Sequence, residues 1–167
     1  MTDFLTLSLR HNSWANQALL DFCAGLDPEL LERRVPDNLR TIREALAHIL
    51  GAEQRYLRAL GHGLEGSPLM EPDDPTLEQL RALAPRLAAA WEQVAAAGVE
   101  LEQEDTGPRG TTRLGIVLAQ AVHHGSDHRS QICTTLGALG VEPPDLDLWT
   151  YGATIGWVRF PDQPGSR

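Results

Sequence analysis

His124 and His128 stand four apart in the stretch HHGSDHRSQI, whose flanks carry the apolar spacing of a helix. On a helix, positions four apart lie one turn above each other, with Cβ atoms about 5–6 Å apart. Two imidazoles so placed can turn toward one ion, which asks for metal–nitrogen distances near ~2.1 Å. The pair shares a stripe with Leu114, Val117, Ala121, Thr135 and Leu139, the face expected to look into the protein. His123 points about 100° away on an ideal helical wheel and is expected to flank the pair. A third ligand must then come from another helix. His48, in REALAHILGAE, is the first choice, because its same-face neighbours Ala45 and Ala52 leave room around an ion. His11, one turn from Trp14, is the second choice, and His62, between two glycines, the weakest. The competing reading is bland: an apolar-stripe histidine is commonly a core residue bonded to a neighbour, and HxxxH arises often by chance.

Between the paired histidines lie Gly125, Ser126 and Asp127, all poor helix formers. A glycine inside a helix costs ~1 kcal/mol relative to alanine. Departures from local propensity concentrate at functional sites, although close helix packing explains a glycine equally well. Glu44 and Asp127 are candidates to orient a metal-bound imidazole, against the plainer roles of capping and solvated acids. Other motifs fail. Gly61-His62-Gly63-Leu64-Glu65-Gly66 fits GxGxxG, but a helix precedes it and prolines follow, so it reads as a loop. HExxH is absent, and no histidine has a glutamate three residues before it, which removes the zinc-protease and di-iron patterns. There is no nucleophile elbow and no basic patch interleaved with aromatics.

The elements that must position these residues follow from periodicity and caps. A first helix is expected from Asp3 to Ala24, with Phe4, Leu7, His11, Trp14, Ala18 and Phe22 on one stripe and Gly25 as its stop. Asp27-Pro28-Glu29 opens a short piece, PELLERR, with a cap and a first-turn proline. Thr41 and Glu44 make a capping box for a second long helix ending near Leu60. A third is expected from Asp74-Pro75-Thr76 to Gly98, kinked or broken at Pro85. A fourth runs from about Thr112 to just before Gly140. No stretch shows convincing strand alternation. Connections near 26–40, 61–75 and 99–111 exceed what antiparallel neighbours need, so at least one is expected to cross the bundle. The tail from Val141 to Arg167, rich in Pro, Asp and Trp, is expected to pack as an irregular flap. The expected fold class is all-α, a four-helix bundle in a single domain over residues 1–167.

Composition limits the function classes. The 167 residues are 42% hydrophobic and 22% charged, a globular balance, with a formal net charge of -9. Phosphate backbones and anionic membrane surfaces are repelled on average, so no nucleic-acid or membrane partner is expected. No apolar run approaches the roughly 20 residues of a membrane span. The opening MTDFLTLSLRHNSW lacks the head, core and cleavage site of a signal peptide. Cys23 and Cys133 lie within expected helices and form no CxxC pair, which favours a reducing cytoplasm over a disulfide.

Four stretches in order resemble the DinB family, the DinB/YfiT-like metalloenzymes, over nearly the whole chain. NSWANQALL resembles its first-helix pattern. TIREALAHILGAEQRYL resembles its second helix, with one histidine followed five residues later by a glutamate, here His48 and Glu53. HGSDHRSQ matches HxxxHRxQ, and LGVEPPDLDLWTY resembles its tail. The resemblance implies a four-helix bundle of unusual connectivity, often a homodimer, with a metal held by His48, His124 and His128. Arg129 and Gln131 belong to the same motif. The Gly-Ser-Asp filling departs from the family's more helix-favouring residues and leaves the local pocket shape open. The family name alludes to DNA damage, yet a charge of -9 argues against a DNA partner.

Three neutral imidazoles leave coordination positions open, as catalytic sites do. An ion there can activate a water or a thiolate, and some related families transfer groups with low-molecular-weight thiols. The resemblance therefore implies a metal-dependent S-transferase acting on a small electrophilic substrate, its divalent transition metal being zinc or nickel first and iron after them. A metal-dependent hydrolase is the near alternative. A non-catalytic metal or small-ligand binder of the stress response is a second class, and a plain bundle with core histidines a third. Asp127 and Glu53 are the candidate acid or base.

Overall fold

The computed structural model describes residues 2–35, 40–70, 73–107 and 110–161. Parts of all three expected connections, at 36–39, 71–72 and 108–109, and the tail beyond residue 161 lie outside the described residues.

Local sequence sets each helix boundary. α1 (Phe4–Ala24) starts where the Asp3 carboxylate accepts the amide of Thr6, and it ends at Gly25. α2 (Pro28–Leu31) is one turn, capped by Asp27 with proline in its first turn. α3 (Ile42–Ala59) carries the expected capping box, with Thr41 and Glu44 each satisfying the other's free amide. α4 (Leu77–Ala97) has a second box, Thr76 with Gln79, and continues through Pro85 without a break.

Two regions differ from the sequence reading in their secondary structure. Glu104–Gly107 (β1) and Gly110–Arg113 (β2) pair as an antiparallel hairpin before the last long helix. These four-residue strands are mostly exposed and built from Gly, Thr and charged residues, so no apolar alternation announces them. The hairpin also delays α5, which spans Leu114–Ala138 rather than opening at Thr112. Its first amides are satisfied by backbone instead of a side-chain cap: Leu114 donates to the Gln103 carbonyl at 2.9 Å and Gly115 to that of Leu101 at 3.0 Å. The tail is not wholly irregular either. A short helix, α6 (Leu148–Thr154), is capped by Asp147 and buries Tyr151.

The four long helices form the bundle. α1 packs on α4 and α5, and α3 packs on the same two, so α1 lies diagonal to α3 and α4 diagonal to α5. The α1–α3 and α4–α5 connections therefore both cross the bundle, as their length permits. The core is aliphatic around Trp91, which is 1% exposed.

On α1 the buried stripe is not the one read from apolar spacing. Leu9, Asn12, Ala15, Asn16, Leu19, Leu20 and Cys23 face inward, while Phe4 is exposed and His11, Trp14 and Phe22 are half-buried. Two asparagines on the inner face are what a search for apolar residues passes over. Cys23 and Cys133 are free thiols. Among the described residues no helix is long and apolar enough to cross a membrane.

Candidate metal centre

α3 and α5 lie side by side, and at their contact His48 meets His124 and His128. One ring nitrogen from each of the three lies within 4.8 Å of the other two. Nε2 of His124 and Nε2 of His48 are 3.1 Å apart. Two nitrogens each ~2.1 Å from a single ion stand about 3.0 Å apart at a right angle and about 3.4 Å at the tetrahedral angle, so the pair fits a shared divalent ion. The ring centroids are 5.0 Å apart for His48–His124, 4.7 Å for His48–His128 and 4.4 Å for His124–His128. All three rings are half-buried, and the edge of Tyr56 meets His124 at 5.8 Å between centroids.

The protonation of the cluster suits a cation. Burial pushes the His124 pKa down to about 4, helped by neighbouring His128 and His48. This ring is therefore neutral at pH 7 and offers a lone pair. His128 Nδ1 lies 2.8 Å from the Gln131 side-chain oxygen. An amide oxygen only accepts, so the bond puts the proton on Nδ1 and leaves the Nε2 lone pair available. An outer acceptor that fixes the tautomer is the usual partner of a metal-bound histidine. Gln131, whose role the sequence left open, thereby acquires one.

The other candidates are placed elsewhere. His11 Nε2 bonds the Leu146 carbonyl at 2.8 Å, and the ring packs 5.9 Å from Trp14 and 5.7 Å from Tyr151, so it anchors the tail. His62 stays in the loop after α3, outside the cluster, and His123 is exposed on the flank as expected. Glu44 serves its capping box and pairs with Arg34 at 2.8 Å rather than reaching an imidazole. Asp127 is exposed on α5, close enough for its charge to be felt by His124.

Glu53 and Arg129 are part of something spacing did not reveal. The Arg129 guanidinium donates through Nη1 to the side-chain oxygens of Asn12 at 2.8 Å and Asn16 at 2.6 Å. Both asparagine amides donate onward to one Glu53 oxygen at 2.7 Å, and the Trp91 indole N–H donates to the other at 3.1 Å. All five side chains are buried. Burial raises the Glu53 pKa, opposed by these hydrogen bonds and by the Arg129 charge. Burial lowers Arg129 to about 10, which still leaves it charged at neutral pH. Gly125 is explained here as well. A Cβ at that position would lie 2.4 Å from Asn12 Oδ1 and 2.8 Å from Arg129 Nη1, so the glycine makes room for the relay. The usable signal was two asparagines one helical turn apart, at offsets that place them on the same side of α1 as Leu9, Leu19 and Leu20.

A family model described as the DinB family matches residues 1–158. No curated protein matches the chain.

Proposed function

The chain belongs to the DinB family, and from that premise we propose that it is a metal-dependent, thiol-using S-transferase. His48, His124 and His128 hold a divalent transition metal, zinc or nickel first and iron after them, and the substrates are small electrophiles. The observation that carries this reading is the meeting of three imidazole nitrogens within 4.8 Å on two adjacent helices. When bound, the ion would supply Lewis acidity that lowers the pKa of a thiol or water beside it.

The protein's own residues shape what enters. Gln131 holds the His128 ring, so its Nε2 lone pair faces a fixed direction. The protein's thiols are poor nucleophiles: burial pushes Cys23 up to about 12 and raises Cys133 as well. The attacking sulfur in this reading is the low-molecular-weight thiol that the family resemblance implies, and the raised pKa of both cysteines is consistent with it. Both Glu53 oxygens are taken by Asn12, Asn16 and Trp91, so the acid–base role falls to exposed Asp127.

Elemental analysis of untagged protein purified without chelators tests the site. About one equivalent of metal is expected, and none in His124→Ala. Absence of metal after reconstitution with zinc and nickel would remove the basis for the enzyme. With metal established, a panel of thiols and electrophiles decides the reaction. Asp127→Asn is expected to depress turnover at unchanged metal content, whereas ester cleavage without thiol transfer would make the protein a hydrolase.

A further inference from the structure

The relay Arg129–Asn12/Asn16–Glu53 crosses the middle of the bundle, and its two charged ends sit on the two helices that carry the histidines. Glu53 is on α3 with His48, and Arg129 directly follows His128 on α5. A step of one residue turns about 100° around a helix and a step of five about 140°. Each helix therefore presents an imidazole in one direction and a charged relay group in another. The asparagines that join the charges come from α1, which packs on α5 but stands diagonal to α3. Hydrogen bonds of 2.6–2.8 Å thus bind α3 to α5 through a third helix.

Stability alone is a poor reason for this arrangement. A buried charge pair is commonly no more stabilising than well-packed apolar residues of the same volume. Here Arg129 and Glu53 make no direct ion pair, and each is at most 4% exposed. What a directional network provides and an apolar core does not is register, because its bonds form at one relative position of the helices.

We infer that the Arg129–Asn12/Asn16–Glu53 relay is a positioning device that sets the spacing and rotation of α3 against α5, and so holds a ring nitrogen of His48 within 4.8 Å of those of His124 and His128. The inference rests on reading the three histidines as one metal site.

The test compares Glu53→Gln and Arg129→Met singly and together, reading thermal stability, zinc affinity by competition with a chromophoric chelator, and the imidazole resonances of metal-free protein. Each single variant loses stability by leaving part of the network unmatched. The double variant removes both charges and recovers most of that stability. Its zinc affinity nevertheless falls by about 10–100-fold, the range seen when outer partners of metal ligands are lost. In the metal-free protein the His48 and His124 resonances move and that of His62 does not.

Zinc affinity in the double variant within about twofold of the parent, far from the loss expected of a positioning group, would overturn the inference. If the parent protein binds no zinc, the metal reading fails separately and the ring resonances decide alone. Movement of His48 and His124 then supports the relay's positioning role, and unchanged resonances overturn it.

Discussion

The histidine cluster and the buried relay are held by the same pair of helices and built on opposite chemistry. In the relay, complements meet: a guanidinium faces two amide oxygens, two amide nitrogens face a carboxylate, and an indole N–H takes the remaining oxygen. Among the described residues no buried side-chain nitrogen or oxygen lacks a partner. In the cluster, like meets like. Three imidazoles converge, and two nitrogens 3.1 Å apart share at most one proton between them. The relay is closed to solvent and complete, whereas the cluster is half-open and gathers lone pairs that a cation would satisfy together. Satisfied burial of this kind specifies architecture, and convergent donors at an accessible edge specify binding.

Substitutions separate the two regions by the size of their effect on folding. The largest loss is expected for Arg129→Met, which strips the donor from both asparagine oxygens and the countercharge from Glu53. About 3–5 kcal/mol should disappear in chemical denaturation, as for one partner removed from a buried pair; a loss under ~1 kcal/mol would show the relay to be dispensable. Gly125→Ala comes next, at about 1–3 kcal/mol, because its Cβ collides with Asn12 and Arg129. Gly137, on the same helix, is the control, since a Cβ added there would meet nothing within 4 Å. There alanine should raise stability by ~0.4–1 kcal/mol, and equal effects at the two glycines would contradict the packing account.

A pH series sharpens the comparison further. The Glu53 pKa is raised in the folded protein, so folding favours its protonated form. Its contribution is fully present below the ordinary glutamate value of 4.5 and is lost as pH rises through the folded value. The stability difference between parent and Glu53→Gln should therefore move against the parent across that rise; a flat difference would mean an unshifted carboxyl. The smallest effect on folding belongs to the cluster. His124→Ala should change metal-free stability by under about 1 kcal/mol, as for partly exposed side chains, while abolishing metal binding.

Much of the fold was legible. Asp3, the Thr41–Glu44 box, Gly25 and Gly98 marked helix ends because caps act within one turn of chain. The histidines were legible for a related reason: His124 and His128 are neighbours on one helix whatever that helix touches. The hairpin was not, since its strands are short, exposed and without alternation. Nor was the inner face of α1, where Asn12 and Asn16 occupy positions that polarity alone assigns to solvent.

The sequence by itself determined the four long helices, the Thr41–Glu44 cap, the paired histidines and the family likeness, all of which depend on residues close along the chain. Only the tertiary structure decided that α3 lies beside α5, bringing His48 to the pair, and that Asn12, Asn16, Glu53, Trp91 and Arg129 close into one network. Those contacts join residues 37 to 117 positions apart. Their formation depends on which helix faces cross the bundle together, and on a buried polar group gaining a complement that no local pattern encodes.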